Sequence, residues 1–136
     1  MNLQAYEVSV IGTEWTRTVH ALSRGKAKYE YWLDVREPWP DIKFTQIRCR
    51  TLGSPRNTDA FSNTAAKRGV PFARIGMRVQ VGPDFGLLVD RNDSMNFQVL
   101  FTSGKYEGQV VNCHPNWMMK YFADDGTLIK EFGGAA

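Results

Sequence analysis

The sequence predicts an α+β protein in which an N-terminal ββαβ layer precedes a small C-terminal β-barrel. The barrel prediction comes from residues 76–132, where short apolar runs repeat: Met77-Val79-Val81, Leu87-Leu88-Val89, Phe97-Val99-Phe101, Val110-Val111, Met119-Tyr121 and Leu128-Ile129. Breakers separate them, among them Gly82-Pro83-Asp84, Asn92-Asp93-Ser94, Ser103-Gly104, His114-Pro115-Asn116 and Asp125-Gly126. Period-two alternation punctuated by turn residues indicates an all-β sandwich or small barrel. The helix prediction comes from Ala27, Tyr31 and Val35, spaced i, i+4, i+8 behind Ser23 at an N-cap position.

Taken in order, Tyr6-Glu7-Val8-Ser9-Val10 alternates as a strand, and Gly12-Thr13-Glu14 turns into a second strand over residues 15–21. The helix follows, with Trp32 beside its apolar face, and Pro38 and Pro40 end it. Residues 42–50 read as a third strand around Phe44 and Ile47. The stretch from Thr51 to Arg56, with its Leu52-Gly53-Ser54-Pro55-Arg56 run, reads as a loop and a boundary. Residues 59–68 form a short helix with Phe61 and Ala65 on one face and Gly69 as its C′ glycine. The expected division is an α+β portion over 1–52, a linker with a short helix over 53–75, the barrel over 76–132 and a frayed tail over 133–136.

Within the barrel region, Met77-Arg78-Val79-Gln80-Val81 leads through Gly82-Pro83-Asp84-Phe85-Gly86 into Leu87-Leu88-Val89-Asp90. A polar turn, the strand over 96–101 and the corner Asn112-Cys113-His114-Pro115-Asn116-Trp117 then precede a last strand. This order resembles the SH3-like barrels of the KOW and Tudor type. There a glycine after the first turn lets the chain bend, and a proline corner precedes the closing strand. The resemblance implies a binding module rather than a particular ligand.

A chain of 136 residues with 43% hydrophobic content can form one domain or two small ones. No run reaches the roughly 20 apolar residues that cross a bilayer, and Met1-Asn2-Leu3-Gln4 lacks the character of a secretion signal, so a soluble cytoplasmic protein without membrane contact is expected. In a reducing compartment Cys49 and Cys113 read as small buried hydrophobes rather than a disulfide. The net charge of +3 is unevenly spread. Up to Val70 there are eleven Lys and Arg against seven Asp and Glu, and from Pro71 onward six against seven.

That asymmetry sets two candidate surfaces. Arg24, Lys26, Lys28, Arg48, Arg50, Arg56, Lys67 and Arg68 are the candidates for phosphate contacts, with Trp15, Tyr29 and Trp32 as stacking surfaces for bases. In the barrel region Phe85 and Tyr106 fall in expected loops and Trp117 follows the proline corner. These three are the candidate protein-binding residues, surrounded by the acidic turn residues Asp84, Asp90, Asp93, Asp124 and Asp125. Catalysis and metal binding find little support. His20, His114, Cys49 and Cys113 lack zinc-site spacing apart from the adjacent Cys113-His114, and no nucleophile or acid–base motif stands out, so no cofactor is expected.

Ala21-Leu22-Ser23-Arg24-Gly25-Lys26-Ala27-Lys28-Tyr29 and Gly76-Met77-Arg78-Val79 are similar to uncharacterised small accessory proteins of bacteriophages that end in an SH3-like portion. The resemblance implies a viral, non-enzymatic binding protein that acts in the host cytoplasm. Its partner would be a host or viral protein, with inhibition of a host defence system as one outcome. Nucleic acid is the alternative partner, through the basic residues of the N-terminal half.

Overall fold

The structure, a computed structural model, describes residues 3–134. The chain divides into two compact units, Met1–Pro55 and Arg56–Ala136. In the first, β1 (Gln4–Val10) and β2 (Thr16–Ala21) form the expected antiparallel hairpin. Helix α1 (Arg24–Arg36) begins where Lys26 N donates to Ser23 Oγ at 3.2 Å, satisfying one of the free donors of the first turn. Its buried stripe of Ala27, Tyr31 and Val35 packs with Tyr6, Val8, Val10, Val19 and Cys49 of the sheet. β3 (Ile47–Gly53) completes an antiparallel sheet of order β2-β1-β3.

The third strand starts later and ends later than its sequence suggests. Ile42 is buried and its carbonyl accepts from Trp32 Nε1 at 3.1 Å, while Phe44–Gln46 makes a 3-10 turn closed by Gln46 Oε1 accepting from Lys43 N at 2.9 Å. Residues 42–46 are thus held in a turn, and ladder pairing with β1 begins only at Ile47, opposite Val10. Beyond Arg50, pairing with β1 continues, with Tyr6 opposite Thr51 and Ala5 opposite Gly53, so the stretch read as a loop is partly strand.

The second unit opens with α2 (Asp59–Lys67), capped by Phe61 N donating to Thr58 Oγ1 at 3.1 Å and terminated past Arg68 by Gly69 at φ +74°. Then come β4 (Arg78–Val81), β5 (Asp84–Arg91), β6 (Phe97–Phe101), β7 (Val110–Cys113), β8 (Met119–Phe122) and β9 (Leu128–Glu131). Each apolar run read from the sequence falls on a strand, except that β4 starts only at Arg78 and leaves Met77 just before it. They form one antiparallel sheet of order β7-β6-β5-β4-β8-β9. The closed barrel is not observed: the sheet is open, with β7 and β9 as its edges. Together the two antiparallel sheets and two helices make a mixed α+β protein dominated by strands.

An open sheet needs its apolar face covered from outside itself. Phe97, Val99, Met119, Tyr121, Val79 and Leu88 are all buried. Phe61 of α2 stacks on Phe97 with ring centroids 5.0 Å apart, and Phe72 and Phe132 meet Tyr121 edge-on at 5.5 and 6.2 Å. Where β5 pairs with β6, a Cβ on Gly86 would lie 2.5 Å from Val99 Cγ1 and 2.9 Å from the Leu100 carbonyl oxygen. Only glycine fits there. A bulge between Leu88 and Asp90 then redirects β5.

Arg68 braces this unit. Its guanidinium donates to the Met95 carbonyl at 2.7 Å and to Asn96 Oδ1 at 3.1 Å, and lies 3.4 Å from His114 Nε2. Its own carbonyl accepts from Asn116 Nδ2 at 2.8 Å. One side chain thus ties the end of α2 to the β5–β6 turn and to the proline corner.

Gly86→Ala should lower the unfolding free energy by roughly 1–3 kcal/mol, because neither Val99 nor the β6 backbone can yield cheaply; an unshifted urea midpoint would refute the close-approach argument. Arg68→Lys should destabilise almost as much as Arg68→Ala, since an ammonium keeps the charge but not the fork of donors; full retention of stability by the lysine variant would show that charge alone matters. Burial pushes the Cys113 thiol up from 9.0 to about 11 and raises the Tyr121 hydroxyl, again through burial and then through Cys113. Both groups are neutral when protonated, so their contribution is complete below the unfolded pKa and is lost as pH rises towards the folded one. Stability against urea should fall from about pH 9 to pH 11, by about 2 kcal/mol for the thiol, and Cys113→Ala should lose less over that interval. Equal losses would remove the thiol from the account.

Candidate binding site at the proline corner

Pro115 turns the chain between β7 and β8, and the fold holds this corner at several points. Tyr121 is fully buried and its hydroxyl donates to the Pro115 carbonyl at 2.6 Å, as a phenol without water must. Asn116 N donates to His114 Nδ1 at 3.1 Å and Trp117 N to the His114 carbonyl at 3.3 Å. Met118 then adopts φ +50°, a left-handed conformation that costs a non-glycine residue on the order of 1 kcal/mol. Backbone bonds on both sides over-determine it: Met118 N donates to the Gly133 carbonyl at 3.3 Å, and Gly82 N donates to the Met118 carbonyl at 2.9 Å.

On this fixed backbone, Trp117 is 50% exposed and Met118 40%. Beside them lies a cavity of about 290 Å3 lined by Gly82, Pro83, Met118, Lys120, Phe132 and Gly134, among others. Lys120 and Glu131 pair at 3.7 Å in its wall. Gly134 leaves room for the larger side chains: a Cβ there would stand 3.1 Å from Met118 Cγ and 3.7 Å from Trp117 Nε1.

The other two aromatic candidates lie elsewhere. Phe85, expected in a loop, is part of β5 opposite Gln80, half-buried, with the Arg78 guanidinium 4.4 Å above its ring and Phe122 at 6.3 Å. The turn is shorter than it looked, so pairing has resumed by Asp84. Tyr106 does lie in a loop and is 40% exposed, beside Phe101 at 6.0 Å and Lys105 at 5.5 Å. None of the three lines the cavity; Trp117 directly precedes Met118, which does. Met118 was missed by sequence reasoning, because an unremarkable methionine gives no sign of a left-handed backbone.

The acidic turn residues mostly serve their own neighbourhood. Asp124 pairs with Arg74 at 2.8 Å and Asp93 with Arg91 at 3.2 Å. Asp125 accepts from Thr127 N at 2.9 Å, and hydrogen bonds from Thr127 hold its carboxyl below the usual range. Asp90 accepts from Arg91 N, and Asp84 packs against Gly104.

The basic candidates are dispersed. Arg24 donates to the Cys49 carbonyl at 2.6 Å, fastening α1 to β3. Arg48 and Arg50 pair with Ser9 and Glu7 of β1, on the sheet face opposite the one that carries Val8 and Cys49 against α1. Arg50 also makes an ion pair with Glu7 at 3.2 Å. Lys26 and Lys28 are on α1 itself. Arg56, Lys67 and Arg68 belong to the second unit, where Arg68 is the brace described above. Charge reversal at Arg68 would therefore report on folding as much as on any ligand.

Cys49 and Cys113 are buried free thiols. Among the described residues no three of His, Cys, Asp and Glu come together as a metal site, and no helix is long and apolar enough to cross a membrane. No protein-family model, curated protein or solved structure matches the chain.

Proposed function

We propose that the protein is a non-enzymatic binding factor of the small bacteriophage accessory type, acting in the host cytoplasm. Its second unit would contact a host or viral protein through Trp117 and Met118, with inhibition of a host defence system as the consequence. The observation that carries this reading is a half-exposed tryptophan on a backbone pinned by hydrogen bonds next to a cavity of about 290 Å3. A pinned backbone leaves little conformational entropy to lose on binding, and tryptophan is among the residues enriched at interface hot spots. The strand order supports kinship with SH3-like barrels as well. Four consecutive strands form a meander and the next returns beside the first, with the proline corner just before it.

The test is affinity purification from host lysate with the wild-type chain and with Trp117→Ala, followed by titration of the recovered partner. The variant should keep its thermal midpoint and weaken the complex by more than about 2 kcal/mol, roughly 30-fold in Kd. Equal affinity of the two forms would sink the site.

A further inference from the structure

Helix α1 segregates its charges. At about 3.6 residues per turn, Lys28, Tyr29, Trp32 and Arg36 fall on one flank of the buried stripe, and Glu30, Asp34 and Glu37, with Lys26, fall on the other. The contacts agree with this division. On the acidic flank Arg17 takes Asp34 at 2.6 Å, and Glu30, its pKa raised by burial and then by Asp34, also feels Arg17 and Lys26. On the opposite flank, ring centroids are 6.0 Å apart for Tyr29 and Trp32 and 5.7 Å apart for Trp32 and Phe44. Lys28 Nζ lies 4.8 Å above the Phe44 ring and Arg36 Cζ 4.5 Å above that of Trp32. The central ring is fixed by its Nε1 bond to Ile42, whereas Tyr29 is 51% exposed.

We propose that this flank binds single-stranded nucleic acid, with Tyr29 and Phe44 offering stacking surfaces to bases and Lys28 and Arg36 meeting the phosphates. The argument is one of complementarity. Aromatic faces and cations alternate within one residue or one helical turn, and the helix keeps its carboxylates on the other flank. A nucleotide repeats the matching pair, a flat ring and an anion, in every unit. An acidic peptide supplies anions without rings, and a duplex hides its base faces. The site lies in the first unit and shares no residue with the Trp117 surface, so the two readings stand or fall separately. It also differs from a broad basic patch, because Arg48 and Arg50 lie on the far face of the sheet and take no part.

Fluorescence anisotropy of labelled oligothymidylate and oligouridylate of about 15 nucleotides, and of a duplex of equal length, tests the proposal on the full chain at about 0.05 and 0.15 M salt. Single strands should bind more tightly than duplex and lose affinity as salt rises. Tyr29→Ala with Arg36→Ala should weaken binding by about tenfold or more, and Lys28→Glu alone should weaken it too, with the circular dichroism spectrum kept in each. Trp117→Ala should bind as wild type does. No binding at the lower salt, equal affinity for duplex, equally effective competition by polyglutamate, or unaltered affinity in the folded variants would overturn the proposal.

Discussion

Because the six-stranded sheet does not close, its apolar face has to be covered by segments that are not part of it, and much of the second unit follows from that requirement. Phe61 from α2, Phe72 from the segment after it, and Phe132 beyond β9 converge on the ring system of Phe97 and Tyr121. Once Tyr121 is sealed off from water, its hydroxyl needs an acceptor, since an unpaired buried phenol would cost on the order of 1–3 kcal/mol. The Pro115 carbonyl supplies it. Core packing thereby fixes the proline corner, and the corner fixes the exposed Trp117 that follows two residues later.

Arg68 acts on the same corner through polar contacts. A guanidinium can serve several acceptors in one plane, and here it joins turn carbonyls and an amide while its backbone takes Asn116. Counted by charge alone, this residue belongs with Lys67 and Arg56 as a phosphate ligand. Its donors are instead committed to the fold. The same holds for Arg24, committed to Cys49, and for Arg50, paired with Glu7. A basic excess in sequence is thus partly spent on internal bonds before any ligand arrives.

How much of this the sequence revealed depends on the range of the interaction. The cap at Ser23, the terminating Gly69, the buried faces of both helices and each strand of the second unit were legible, because periodicity and capping are local. Closure of the sheet was not, since it depends on which distant edges meet, and β9 adds an exposed edge strand that no local pattern forbids. Phe85 was misplaced for a smaller reason. Gly82, at φ +57°, and Pro83 make the turn by themselves, so pairing is already under way at Asp84. Trp117 stood out by following the proline. Met118 and the partnership of Arg36 with Trp32 did not, the first because left-handed backbone has no signal in methionine, the second because no count of basic residues shows where a helix flank faces.

The two exposed aromatic surfaces differ in what surrounds each ring, and that difference decides what each can recognise. Next to Trp117 stands Met118, whose thioether shares a cavity wall with glycines, a proline and a lysine already paired with Glu131. Such surroundings favour burial of apolar surface and give little long-range pull on an anion. Beside Tyr29, Trp32 and Phe44 stand Lys28 and Arg36, held over ring faces with the helix carboxylates turned to the opposite flank. A cation so placed keeps its charge available on the side away from the ring, and attraction there must weaken as salt rises. Shape and desolvation govern the first surface, charge joined to stacking the second. A single partner chemistry does not suit both, which is the physical reason for assigning them different ligands.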